Sequence, residues 1–167
     1  MISSQIDSLD KIFSGGLQTG IITEISGLRG TGKTQFALQF AIEPLSNNKK
    51  ILFIDTTVEF RPERFLQMIQ SRNLSPSLLE NLHVSRVTDT QKQIEVLKSF
   101  EKDSFSLLII DNIADLFSFE YSKKEHLIEK NLNFGNYMIN LSKLALSKNI
   151  PIIITNQILS YDEKNYE

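Results

Sequence analysis

Eight consecutive residues, Gly27-Leu28-Arg29-Gly30-Thr31-Gly32-Lys33-Thr34, restrict this chain more than any other stretch. They fit the spacing G-x-x-x-x-G-K-[ST], a loop whose backbone amides cradle phosphate groups. That spacing carries weight only between a strand and a helix. Both are predicted here: Ile21-Ile22-Thr23-Glu24-Ile25 reads as a strand, and the run from Lys33 to Ile42 as a helix. Bare loop amides and the partial positive charge of a helix N-terminus both favour an anion. A lysine at that positive end, Lys33, is unfavourable unless an anion sits beside it. The loop therefore predicts a bound nucleotide around residues 27–34, with Lys33 reaching the β- and γ-phosphates and the Thr34 hydroxyl holding Mg²⁺.

The rest of the chain alternates strand and helix patterns, with no internal repeat, low-complexity segment or linker. Ile51-Leu52-Phe53-Ile54 and Leu107-Leu108-Ile109-Ile110 are apolar runs ending at Asp55 and Asp111, and Ile152-Ile153-Ile154-Thr155 is a third. With the strand before the loop they make four strong strands; Leu82 to Val87 is a weaker one. Helical spacing follows Pro62 (Phe65, Leu66, Ile69), recurs from Gln91 to Phe100, and runs from about Leu127 to Leu146. Continuously apolar strands alternating with helices predict an α/β fold: a mostly parallel sheet with helices on both faces. Ligands of such sheets bind beyond the carboxyl ends of the strands. The phosphate loop, Asp55, Asp111 and Asn156-Gln157 all fall at such ends.

Bulk properties narrow the possibilities. The 167 residues suffice for one domain with a real core. There is no cysteine, which excludes disulfides and thiolate metal sites. No signal pattern opens the chain, and no apolar run approaches the roughly 18 residues of a membrane span. A soluble protein of the cytoplasm, or of the nucleus in a eukaryote, is expected, with no membrane partner. The formal net charge of −2 gives no broad affinity for nucleic acid, so any DNA contact must come from a local patch.

Three further residues could carry chemistry. Asp111, after four apolar residues, suits the acidic group that holds Mg²⁺ in phosphate-loop enzymes, although an aspartate at a strand end also serves as a helix cap. Gln157, a neutral amide ending the last strand, could sense the γ-phosphate or be an ordinary polar residue. Hydrolysis needs a group to orient water, and Glu59 is the first carboxylate past Asp55, equally readable as a solvated loop acid. Lys123-Lys124 with Tyr121 could touch phosphates and stack on a base, but Glu120, Glu125 and Glu129 make a mixed-charge solvated loop the stronger reading. His83 and His126 have no partners at metal-ligand spacing.

These pieces together resemble the ATPase core of the RecA/RadA recombinases, especially the archaeal RadA and RadB type and their eukaryotic paralogues. The resemblance runs from Ile2 to Gln157. It is carried by Ser8-Leu9-Asp10, Gly15-Gly16-Leu17, Gly20-Ile21-Ile22-Thr23-Glu24-Ile25, the phosphate loop with Gln35 after it, Phe60-Arg61-Pro62-Glu63-Arg64, Asp111 and Ile154-Thr155-Asn156-Gln157. It implies a RecA-like P-loop NTPase fold, ATP and Mg²⁺ as ligands, and a part in homologous recombination or DNA repair. It also implies that residues 27–35 bind the nucleotide, that Thr34 and Asp111 hold the metal, and that Gln157 couples nucleotide state to a DNA-binding loop.

Departures from the family pattern shape the expectation. RadA-type recombinases read Asp-Thr-Glu-Gly-Thr-Phe-Arg-Pro-Glu-Arg, where the glutamate activates water. Here Asp55-Thr56-Thr57-Val58-Glu59-Phe60 puts Thr57 in that place and Glu59 two residues late. The first DNA-binding loop of the family falls at about Ser118 to Lys130, with Ser118 in place of an arginine and Lys124 near the site of another. Met1 falls at the start of the family's core and the sequence runs ten residues past Gln157, so the expectation is a core that lacks the family's N-terminal domain and is truncated after the fourth strong strand. The expectation is a single ATPase core spanning residues 1–167: an accessory paralogue with weak DNA-dependent ATPase activity, weak single-stranded DNA affinity, and recombinase or paralogue subunits as partners. A KaiC-type regulatory ATPase and a non-hydrolysing ATP-binding module are the rivals.

Overall fold

A computed structural model describes residues 1–100 and 104–158. The strands are β1 (Ile22–Gly27), β2 (Lys50–Asp55), β3 (Leu82–Arg86), β4 (Phe105–Asp111) and β5 (Ile152–Gln157). They form one sheet in the order β1-β5-β4-β2-β3, and every neighbouring pair is parallel. The helices are α1 (Asp7–Ile12), α2 (Lys33–Gln39), α3 (Ile42–Ser46), α4 (Pro62–Gln70), α5 (Thr90–Phe100), α6 (Asp115–Glu120) and α7 (Leu127–Lys148). Short 3₁₀ turns at Pro76–Asn81 and Lys124–His126 complete the described elements.

Alternation along the strands divides the core into two halves. Ile51, Phe53, Leu107, Ile109 and Ile153 face a cluster with Ala37, Phe40, Leu45, Phe65 and Ile69 from α2, α3 and α4 and the segment after α2. Leu52, Ile54, Leu108, Ile110, Ile152 and Ile154 face Leu97, Phe117, Tyr137, Leu141 and Ala145 from α5, α6 and α7. Helices therefore cover both faces, as the apolar runs predict. The weaker pattern of β3 matches its place at the edge, where its residues are half-buried or exposed.

Two features depart from the predicted elements. The helix expected from Lys33 to Ile42 is two helices, because Pro44 has no N–H to donate and its ring would collide with the carbonyl four residues earlier. The turn tightens before it, with Phe40 N donating to Ala37 O and Ala41 N to Leu38 O, and α3 restarts at Ile42. The N-terminal segment is also tied down. Ile2 and Leu17 exchange backbone hydrogen bonds as an antiparallel bridge. Gly16, at φ 135°, passes so close that an added Cβ would lie 2.2 Å from the Ile2 carbonyl oxygen. Asp10 holds the same segment, accepting from the Ser3 hydroxyl at 2.5 Å and the Ser4 amide at 2.7 Å.

Candidate functional site

Parallel strands bring their carboxyl ends to one edge of the sheet, and the register aligns the predicted residues there. Gly27 pairs with Gln157, and Asp55 with Asp111. Beyond this edge opens a cavity of about 230 Å³. Arg29, Gly30, Gly32, Lys33, Thr34, Gln35, Glu59, Asp111 and Gln157 all line it, so the predicted catalytic and metal residues meet at one place. Gly27, Leu28 and Thr31 are not among its walls; Gly27 and Thr31 line a neighbouring hollow with Ser26 and Phe36, and the Thr31 hydroxyl donates to the Leu28 carbonyl at 2.8 Å.

The loop has the features of a phosphate cradle. Gly30 and Gly32 adopt φ of 78° and 87°, which residues with a side chain rarely take, and an added Cβ at either would meet open space. Their amides find no acceptor in the described protein. Lys33, the first residue of α2, folds its ammonium over the loop and donates to the carbonyls of Gly27 at 3.0 Å and Leu28 at 2.9 Å.

Asp111 organises the opposite wall. Thr34 Oγ1 donates to its Oδ2 at 2.5 Å, and Thr155 Oγ1 donates to its Oδ1. Thr34 and Asp111 thus present hard oxygens to one point, the donor chemistry that Mg²⁺ takes, with phosphates and water completing its shell. Among the described residues no cluster of three or more His, Cys, Asp or Glu could hold a metal unaided.

The loop after β2 is shaped by Asp55, which is buried. Asp55 Oδ1 accepts from the Thr57 amide and hydroxyl at 3.2 and 3.1 Å, Oδ2 accepts from the Phe60 amide at 3.2 Å, and Arg86 stands 3.7 Å away. Thr57 lines the cavity, but its hydroxyl is turned back to Asp55. Val58 takes φ 58°. Glu59 reaches the lip of the cavity and is paired there with Arg29 at 2.8 Å, both side chains well exposed. This bridge ties the tip of the phosphate loop to the loop after β2.

Asp115 is a cavity residue the sequence reading missed. It opens α6 four residues beyond Asp111. Burial pushes its carboxyl above the usual range; the nearby charges of Asp111 and Glu59 push the same way, and Lys33 opposes them. No local signal marks it: that Asp115 lines the cavity depends on where the start of α6 lies over the sheet edge.

The stretch expected to touch DNA is more structured than a solvated loop. Glu120 is engaged, accepting from the Thr90 amide at 2.8 Å and the Thr90 hydroxyl at 2.5 Å, which caps the start of α5. Tyr121 packs on the core and accepts from Asn133 Nδ2 at 2.8 Å, so it is not free to stack on a base. Ser118 accepts from Lys130 at 3.0 Å, while Lys123 and Lys124 remain exposed. No described helix is long and apolar enough to cross a membrane.

Comparison with known proteins joins these features. The family model described as Rad51 matches residues 1–165. The chain is 30% identical over 171 residues to the DNA repair and recombination protein RadA of Cenarchaeum symbiosum, covering 96% of this chain and 43% of that protein. It is 31% identical over 170 residues to a DNA repair protein RAD51 homolog of Solanum lycopersicum, covering 95% of this chain and 50% of that protein. The chain spans about half the length of these curated relatives or less.

Proposed function

The chain belongs to the Rad51 family and has its RecA-like α/β fold, and from that premise we propose that it binds ATP with Mg²⁺ and serves homologous recombination and DNA repair. The observation that carries this reading is the meeting of Thr34 and Asp111, 77 residues apart in sequence, at 2.5 Å beside the phosphate loop. In this reading the amides of residues 27–35 bind the phosphate tail. Lys33 leaves the loop carbonyls to bridge the β- and γ-phosphates, and Thr34 with Asp111 holds Mg²⁺. When bound, Mg²⁺ neutralises charge on the transferring phosphoryl group. Gln157, at the end of β5 beside the loop, senses the γ-phosphate and relays nucleotide state.

The proposed role is that of an accessory paralogue with a slow, DNA-dependent ATPase. Thr57 offers no charge for activating water, and Ser118 and Lys124 supply a weaker phosphate-binding surface than paired arginines. Single-stranded DNA and other recombinase-family subunits are the proposed partners, in the cytoplasm or a nucleus. A single ATPase core over residues 1–167 is part of the same proposal. A second reading, an ATP-binding module that does not hydrolyse, is favoured by Thr57 turning its hydroxyl to Asp55 and by Glu59 being held by Arg29. A KaiC-type regulatory ATPase is the less favoured alternative, since the Phe60 to Arg64 string and Thr155-Asn156-Gln157 belong to the recombinase pattern.

The test combines equilibrium binding of a fluorescent ATP analogue with ATP turnover, with and without single-stranded DNA. Magnesium-dependent binding with slow, DNA-stimulated turnover is expected. Binding without turnover selects the inert module, and turnover indifferent to DNA selects the regulatory ATPase. An absence of magnesium-dependent binding overturns the proposal.

A further inference from the structure

Three carboxylates line the phosphate cavity, and they are not equivalent. Asp111 has both oxygens engaged by threonine hydroxyls, from Thr34 and Thr155. Glu59 sits at the exposed lip, committed to Arg29. Asp115 accepts no hydrogen bond and forms no ion pair within the described protein. It is half-buried, and its charge interacts with Lys33, Asp111 and Glu59 at once. It lines the same cavity as Lys33, Thr34, Asp111 and Glu59, so the carboxylate stands among the groups that surround the terminal phosphate on the proposed reading.

Phosphoryl transfer to water needs a group that orients the nucleophile. Thr57 cannot act as a carboxylate, and its hydroxyl is already given to Asp55. We propose that Asp115 is the water-orienting carboxylate of this site, doing from the start of α6 what Thr57 cannot do from the loop after β2. The inference rests on the nucleotide-binding reading. Asp115 accepts a hydrogen bond from a water molecule. The water oxygen bonds to the γ-phosphorus as the bond from that phosphorus to the β–γ bridging oxygen breaks. The electron pair of the broken bond leaves on ADP, and the water proton passes to the Asp115 carboxylate and then to the released phosphate.

The experiment compares the wild-type chain with Asp115→Asn and Asp115→Ala, both with single-stranded DNA present. Three quantities are read: the turnover number, the Kd of the fluorescent ATP analogue, and the Mg²⁺ concentration for half-maximal binding. Loss of a positioned proton acceptor should lower kcat by about 100-fold or more in both variants, with the Kd changed by less than about threefold and the Mg²⁺ requirement unmoved. Wild-type turnover in either variant overturns the inference. So does a raised Mg²⁺ requirement with turnover restored at high Mg²⁺, which would make Asp115 a metal-shell residue. Loss of binding in parallel with turnover would make it structural and likewise overturn it, as would a wild-type chain that binds the analogue but never turns ATP over. Failure of the nucleotide-binding reading looks different, because the wild-type chain itself then fails to bind the analogue.

Discussion

Val58 stands at φ 58°, a left-handed backbone conformation that a β-branched side chain tolerates poorly. The family string resembled by this loop has glycine at that position. Val58→Gly should relieve a strain of about 1–2 kcal/mol while adding about 0.5–1 kcal/mol of unfolded-state entropy. The net expectation is a melting temperature unchanged or raised by roughly 2–4 °C in calorimetry. Lys33→Ala should weaken nucleotide binding by about 2–3 kcal/mol, the scale of a hydrogen bond to a charged group, and a titration giving unchanged affinity would reject the phosphate-loop assignment. Thr57→Glu should raise turnover if the loop after β2 keeps its path, as read in a phosphate-release assay. The residues of this site legible in sequence are those set by local spacing: residues 27–34 by a contiguous motif, Asp111 and Gln157 by their places at strand ends. The Arg29–Glu59 pair and the inward turn of Asp115 were not legible, because each depends on where another part of the chain lies in space.

At the level of elements, the same division between local and distant causes holds. β2, β4 and β5 announce themselves because a strand buried on both faces must be apolar throughout. α1 has no buried residue, so it leaves no apolar stripe to read. The capping of α5 by Glu120 joins residues 30 apart in sequence and leaves no mark in either segment alone. Glu120→Ala should therefore cost about 1 kcal/mol, the usual loss for a helix cap, visible as a lower denaturant midpoint. The N-terminal segment gives a pH prediction. Hydrogen bonds from Ser3 and Ser4 hold the Asp10 carboxyl below its usual range. A carboxyl lowered in the folded state contributes stability that is fully present above the unfolded value of about 4 and is lost as pH falls through the lowered folded value. Amide exchange at Ser4 should accelerate as pH is lowered below about 4, after correction for the intrinsic rate, and Asp10→Asn should remove that dependence.

For the molecule as a whole, a ligand that binds only the folded chain stabilises it by mass action. Magnesium and nucleotide at about 100 times the Kd should add about 2.7 kcal/mol. In a thermal melt that corresponds to roughly 5–11 °C, and most of the shift should be lost in Lys33→Ala at the same ligand concentration. The proposed grip on nucleotide is assembled from distant parts: Thr34 meets Asp111 across 77 residues, and Asp111 meets Thr155 across a further 44. With β5 not yet laid between β1 and β4, the loop after β1 and Asp111 at the end of β4 are not held side by side, and Thr155 is not there to steady Asp111. On the proposed reading, cargo is taken up only once β5 has docked, and nucleotide occupancy reports that β1, β4 and β5 have come together.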